Sequence, residues 1–265
     1  MVRGQLIAAA ILLASGGSTA AQDAPQQVIT NPSWSEIPAP DDMGEAYPVF
    51  ASAIATSGWA QMQCRVTLEG RLALCEVEKT VPAGLGFDRA ALSLVPRFRL
   101  NPRTVDGDIE KSSVRFSVRF RLGDDDPLPT WTGRQPTADE LSRVRQTIGW
   151  MAEHMGPPPN ELLGRLDVDA DRREAVEAMI RQVDQEMLDQ RLDGYALVMA
   201  RTASPEQLDD LMNRRPPRGG PPSEDVLKAA SGDLRPVERQ YGDRLRALYC
   251  ARYACLSAEA PDPES

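Results

Sequence analysis

Four cysteines, one histidine and a short run of alternating aspartates are the residues of this 265-residue chain whose types and spacing could do chemistry. The cysteines fall in two local pairs, Cys64 with Cys75 and Cys250 with Cys255. Neither has the Cys-x-x-Cys spacing of a thioredoxin-like redox centre, so structural disulfides are the chemistry expected of them. Asp167-Val-Asp-Ala-Asp171 imitates the start of a calcium loop, yet Arg172 stands where a glycine is needed and Ala178 where a bidentate glutamate is needed. Acidic residues entering a helix account for the run better. The single histidine, His154, argues against Ser-His-Asp and Cys-His catalysis and against His-rich metal sites. Val81-Pro-Ala-Gly-Leu-Gly86 lacks the Gly-x-Gly-x-x-Gly pattern of a nucleotide loop. The sequence therefore predicts no catalytic residues, no metal site and no cofactor.

Residues 1–21 resemble a secretory signal, with Arg3 ahead of the apolar run Leu6–Ala14 and small residues at Ser18-Thr19-Ala20-Ala21. That run is short for a membrane span, which needs roughly 20 apolar residues. Cleavage near Ala20–Gln22 would release an exported, periplasmic protein; an uncleaved segment would leave it anchored in the inner membrane facing the periplasm. An oxidising compartment suits the even number of cysteines. A net charge of −9 excludes nucleic acid as a general partner, because phosphate binding needs a basic surface.

The elements that must position the cysteines centre on Ser113–Leu122. Val114, Phe116, Val118, Phe120 and Leu122 alternate there with Arg115, Ser117, Arg119 and Arg121, the period of a strand with one buried face. Such a strand needs partner strands and covering helices. A helix over Val49–Thr56, opened by Pro48 and ended by Ser57-Gly58, and a second over Phe87–Val95 supply the cover, the latter through Phe87, Ala90, Ala91 and Leu94. Trp59–Thr80 predicts a hairpin turning at Glu69-Gly70. A two-residue loop sets Cys64 opposite Cys75; a three-residue loop sets Cys64 opposite Leu74, unless a bulge restores the pairing. The Cys64–Cys75 disulfide is expected, through the two-residue loop or through such a bulge.

Tyr47-Pro48, Ala51, Gly58, Gly70, Phe87-Asp88, Ala90-Ala91-Leu92, Phe98, Pro102 and the strand 113–122 stand in the order and spacing of the TonB C-terminal domain family, which residues 40–123 resemble. The resemblance implies a small antiparallel sheet with two helices on one face. It also implies a last strand that offers its edge to a short receptor segment by strand addition. That edge would be Val114, Arg115, Phe116, Ser117, Val118, Arg119 and Phe120. The implied partner is a protein, such as an outer-membrane receptor segment or another envelope protein. TonB itself has an N-terminal membrane helix and a long Pro-rich spacer. A cleaved signal leaves neither, so the binding mode carries over and a membrane-anchored energy transducer stands as the alternative. Arg97, Arg99, Arg115, Arg119 and Arg121 are expected on or near the wet side of the sheet, as a solvated or neutralised face rather than an anchor for acidic peptides.

An extended leader at 22–42, rich in proline, precedes the α/β domain at 43–123, and Asp124–Gln135 is a linker of acidic residues and prolines. Beyond it the period becomes helical, giving a separate all-α domain over 136–256 and a disordered tail at 257–265. The fold class expected is thus α+β. Capping boxes open helices at Thr137/Glu140 and Ser204/Gln207, Asp171–Met199 is one long amphipathic stretch, and Ser223 starts further helix kinked at Pro236. On one unbroken helix Cys250 and Cys255 would lie about 8 Å apart on different faces, so they pair only if the helix breaks between them. Tyr195-Ala196 and Ser204-Pro205-Glu206-Gln207-Leu208 resemble an uncharacterised helical domain of exported bacterial proteins, which implies no activity.

Overall fold

The computed structural model describes residues 28–102, 104–105, 108–109, 112–123, 130–157, 159–216, 218–253 and 255. The expected signal at 1–21, the acidic part of the linker at 124–129 and the tail at 257–265 lie outside them. The chain is an α+β fold. Strands β1 (Val28–Ile29), β2 (Trp34–Glu36), β3 (Gly58–Val66), β4 (Leu72–Val81), β5 (Arg99–Leu100), β6 (Thr104–Val105), β7 (Asp108–Ile109) and β8 (Ser112–Phe120) belong to the first half. With them run helices α1 (Pro40–Glu45), α2 (Val49–Ala53) and α3 (Phe87–Leu94). The second half is helical: α4 (Ala138–Met155), α5 (Glu161–Gly164), α6 (Ala170–Glu186), α7 (Leu188–Thr202), α8 (Pro205–Met212), α9 (Glu224–Ala230) and α10 (Arg235–Arg252).

Alternation dictates the main sheet. Its order is β1-β8-β3-β4. Gly58, Ala60, Met62 and Cys64 of β3 face inward beside Val114, Val118 and Phe120 of β8. Helices α2 and α3 cover that face, burying Phe50, Ala51 and Ile54 from one side and Phe87, Ala90, Ala91 and Leu94 from the other. Each large apolar side chain so buried contributes roughly 1.5–3 kcal/mol. Of the extended leader expected at 22–42, residues 22–27 lie outside the described ones; it supplies the strands β1 and β2, and Pro40 starts α1. Because β1 lies parallel to β8, the sheet is mixed rather than wholly antiparallel. Helix α2 is also shorter than expected, ending at Ala53, and Ala55 turns the chain out with a positive φ of 47°.

The hairpin solves its register problem with a bulge. Val66 pairs with Leu72 and Arg65 with Ala73, and the Thr67 N–H donates to the Arg71 carbonyl at 2.9 Å; this leaves a three-residue loop, 68–70, and would set Cys64 opposite Leu74. Leu74 takes φ 49°, the ladder shifts between Gln63 and Arg65, and beyond it Gln63 pairs with Glu76. The extra residue brings Cys75 back to Cys64, and the two are joined. Leu74 is thereby turned out, 72% exposed. The two-residue loop expected from Glu69-Gly70 does not form, since Glu69 is a poor residue for the positive φ that such a turn demands.

Apolar packing does not follow the change of composition at 124–135. Leu166, Val168, Val176, Met179, Ile180, Val183, Met187, Leu245 and Tyr249 join the core of the sheet, while Val144, Ile148, Leu192, Ala196, Ala200 and Leu208 form a second core. The stretch expected as one helix over 171–199 breaks at Met187, so that α6 serves the first core and α7 the second. Pro236 sits in the first turn of α10 and kinks nothing. Helix α10 ends at Arg252 and Tyr253 is extended, so the chain bends back and Cys250 bonds to Cys255. Both expected capping boxes are present, Glu140 N–H donating to Thr137 Oγ1 at 3.2 Å and Gln207 N–H to Ser204 Oγ at 3.2 Å. Arg201, with its side chain 5% exposed, stitches the second core by donating to the Ala230 carbonyl and to Asp233.

The seam between the halves is polar as well as apolar. Asp167 accepts the Val49 N–H at 2.7 Å and the Phe50 N–H at 3.4 Å, satisfying donors at the start of α2. Asp169 accepts from Arg89 at 2.8 Å. Two carboxylates of the calcium-like run are thus committed to joining elements. Farther along, Arg244 of α10 grips Glu186 of α6 with Nε at 2.7 Å and Nη2 at 3.0 Å. Those bonds, and a further one from Gln182, hold the Glu186 carboxyl down at about 2. An unfolded glutamate titrates near 4.3. The stabilisation it gives is therefore complete above the unfolded value and is lost as pH falls through about 2. Glu186→Gln is expected to remove that acid-sensitive component, so the stability gap between wild type and variant, followed by urea denaturation, narrows from about pH 5 to pH 2.

Candidate partner-binding edge

β3 positions β8 along its whole length, from Gly58 opposite Phe120 to Val66 opposite Ser112. On its other side β8 meets β1, in register Val28 with Ser113 and Ile29 with Val114. Among the described residues no further strand pairs along that outer edge from Arg115 to Phe120. Strand β8 is thus, among the described residues, an inner strand at its start and an edge strand for the rest of its length.

The seven residues expected at the edge divide between its two faces. Val114, Val118 and Phe120 are buried, and Phe120 packs against Phe87 at 5.4 Å and Tyr47 at 5.8 Å between ring centroids. Half-buried Phe116 lies 4.9 Å from Trp34 and 5.2 Å from Phe98, a three-ring cluster at the rim of the core. On the wet face Arg115 donates to Gln63 at 3.1 Å and to Glu78 at 2.7 Å, tying β8 across β3 to β4. Ser117 stands opposite Gln61 and Arg119 opposite Trp59. Arg115 thus helps to hold the strand in place. What the strand can offer a ligand is its main chain, together with the aromatic rim around Phe116.

Three of the five arginines expected on the wet side are matched by carboxylates. Arg97 reaches Asp42 at 3.3 Å, Arg99 reaches Glu36 at 3.4 Å and Arg115 takes Glu78. The neutralising carboxylates come from the leader and the neighbouring strand.

A second concavity escaped the sequence reading. A cleft of about 950 Å³ opens between the end of α2, Leu122-Gly123 and α10. Beside it Asp184 accepts from Asn160, Arg191 and the Tyr241 hydroxyl. Burial, and then the neighbouring Asp184 carboxylate, push the Tyr241 hydroxyl well above its ordinary value. The four residues come from α5, α6, α7 and α10 or their caps, at separations with no periodic signature; each donor has a partner, so the network acts as a structural knot.

No protein-family model and no curated protein matches the chain. Among solved structures, the solution structure of the Pseudomonas aeruginosa TonB C-terminal domain aligns with 39% of this chain and 100% of that domain, at 20% identity and a TM-score of 0.30.

Proposed function

We propose that this chain is an exported protein-binding module whose partner adds an extended segment to the outer edge of β8 between Arg115 and Phe120. One observation carries the reading: this edge already accepts a strand at Ser113 and Val114 and continues past it with no described strand paired. Unpaired main-chain donors and acceptors at a sheet edge are a template for another chain. The same edge is the one implied by the sequence resemblance, and two disulfides suit an oxidising compartment such as the periplasm. No helix among the described residues is long and apolar enough to cross a membrane. The reading assigns the protein no reaction; its work is recognition, with an outer-membrane or other envelope protein as the partner.

The test is a photoreactive phenylalanine analogue in place of Ser117, irradiated in cells, with the same residue in place of Glu238 in α10 as control. A covalent adduct with a second protein from position 117 and not from the control is the expected result. Adduct yields that are equal or absent at the two positions would remove the proposal.

A further inference from the structure

We infer that the leader, Val28–Glu36, is a removable internal strand that occupies part of the docking edge and mimics the chemistry of the partner. The inference rests on the reading of β8 as a docking edge and adds what binds there and what must leave first.

The leader is held as a bound peptide is held. Val28 and Ile29 pair in parallel with Ser113 and Val114, and the Ile29 side chain is 7% exposed. The chain then bends and engages again through Trp34, whose ring sits 5.0 Å from Phe98 and 4.9 Å from Phe116. Four polar ties fasten this second grip. The Ser33 carbonyl accepts the Asn101 N–H at 2.9 Å and its hydroxyl accepts from Asn101 Nδ2 at 2.8 Å. Ser35 Oγ donates to the Arg99 carbonyl at 3.1 Å. Glu36 meets Arg99. Main-chain pairing, an aromatic ring in a slot and a carboxylate on an arginine are together the grammar of strand recognition.

The main-chain part of the hold on β8 is short. A two-residue strand is marginal by itself, and Val28, Glu36 and Ile37 are exposed at the two ends. Tethering compensates, since a covalently attached segment competes at an effective concentration on the order of mM. A foreign segment that takes the leader's place must therefore displace Ile29 from Val114 and insert its own ring beside Phe116. The partner that fits is an extended polypeptide with two β-branched residues, a short bend, an aromatic residue and then a carboxylate.

A fluorescent synthetic peptide with the leader's own residues, Val28 to Glu36, is the probe, titrated by anisotropy into the full chain and into an Ile29→Asp/Trp34→Ala variant. Loosening the leader is expected to raise the apparent affinity about tenfold or more, because the competent state is no longer masked. A peptide with alanine at its tryptophan position is expected to lose that binding. Equal affinity for both chains, or binding to neither, overturns the inference. Should the double variant not fold, Ser33→Ala in the chain, which cuts the leader's side-chain tie to Asn101 while the probe peptide keeps its own serine, is expected to shift affinity in the same direction by a smaller factor, and no shift overturns the inference. Peptide binding to the loosened chain without any adduct from Ser117 keeps the internal strand and removes the foreign partner. An adduct from Ser117 whose yield loosening does not change keeps the docking edge and removes the internal strand.

Discussion

Phe50→Ala is expected to destabilise the protein by about 3–5 kcal/mol, the usual cost of emptying a buried aromatic site, and to do so in both halves at once. Phe50 has no exposed surface, and its ring meets Tyr249 edge-on at 5.5 Å and 63°. Tyr249 belongs to α10, almost two hundred residues later, and packs in the same core as Met179, Ile180 and Val183 of α6. A cavity at position 50 is therefore shared by the sheet module and two helices of the C-terminal half. Differential scanning calorimetry should show the main transition moving down by roughly 2–4 °C for each kcal/mol lost. A double-mutant cycle with Tyr249→Ala should return a coupling of about 0.5–1.5 kcal/mol beyond the lost area. A helical transition that stays put while only the sheet module softens would sink the shared-core account.

Gly70→Ala should be nearly as damaging, at about 2–5 kcal/mol, for a different reason. Gly70 closes the hairpin with φ 78°, a conformation that costs other residues roughly 1–2 kcal/mol. A Cβ there would also stand 2.1 Å from the Leu100 carbonyl oxygen, a backbone atom that cannot swing away. Overpacking of this kind adds about 1–3 kcal/mol. Because the Leu100 N–H donates to the Gly70 carbonyl at 2.8 Å, relieving the clash pulls β5 from the hairpin, and β2 with it. Gly123→Ala, with nothing within 4 Å of the new atom, is the control and should change stability by less than about 0.5 kcal/mol. Urea midpoints for the two variants decide the matter: a loss below 1 kcal/mol at position 70 would mean that the hairpin tip is not wedged against β5.

Much of this architecture could be read from residue order because the governing signals are local. Alternation in Ser113–Phe120 showed both the strand and its buried face, and Phe87, Ala90, Ala91 and Leu94 mark the face α3 presents to the sheet. Capping boxes showed where α4 and α8 start. What stayed hidden has no local signature. Leu74 gives no hint that it will take a positive φ, so the bulge that brings Cys75 to Cys64 could be named as an option and not chosen. Helix α6 stops at Glu186 without a glycine or proline, since the break answers to two cores competing for the same amphipathic stretch. Val28-Ile29 is too short a pair to announce a strand, and its place beside β8 is settled by tertiary packing. The candidate edge was legible as a strand, while its partial occupation by the leader was not.

The carboxylate of Asp167 caps a helix that lies 118 residues earlier in the chain. A ribosome that has released residue 123 has made every strand of the main sheet, yet has supplied neither that cap nor the Tyr249 ring against Phe50. The core of the α/β half is thus complete only when α10, the last described helix of the polypeptide, has been made.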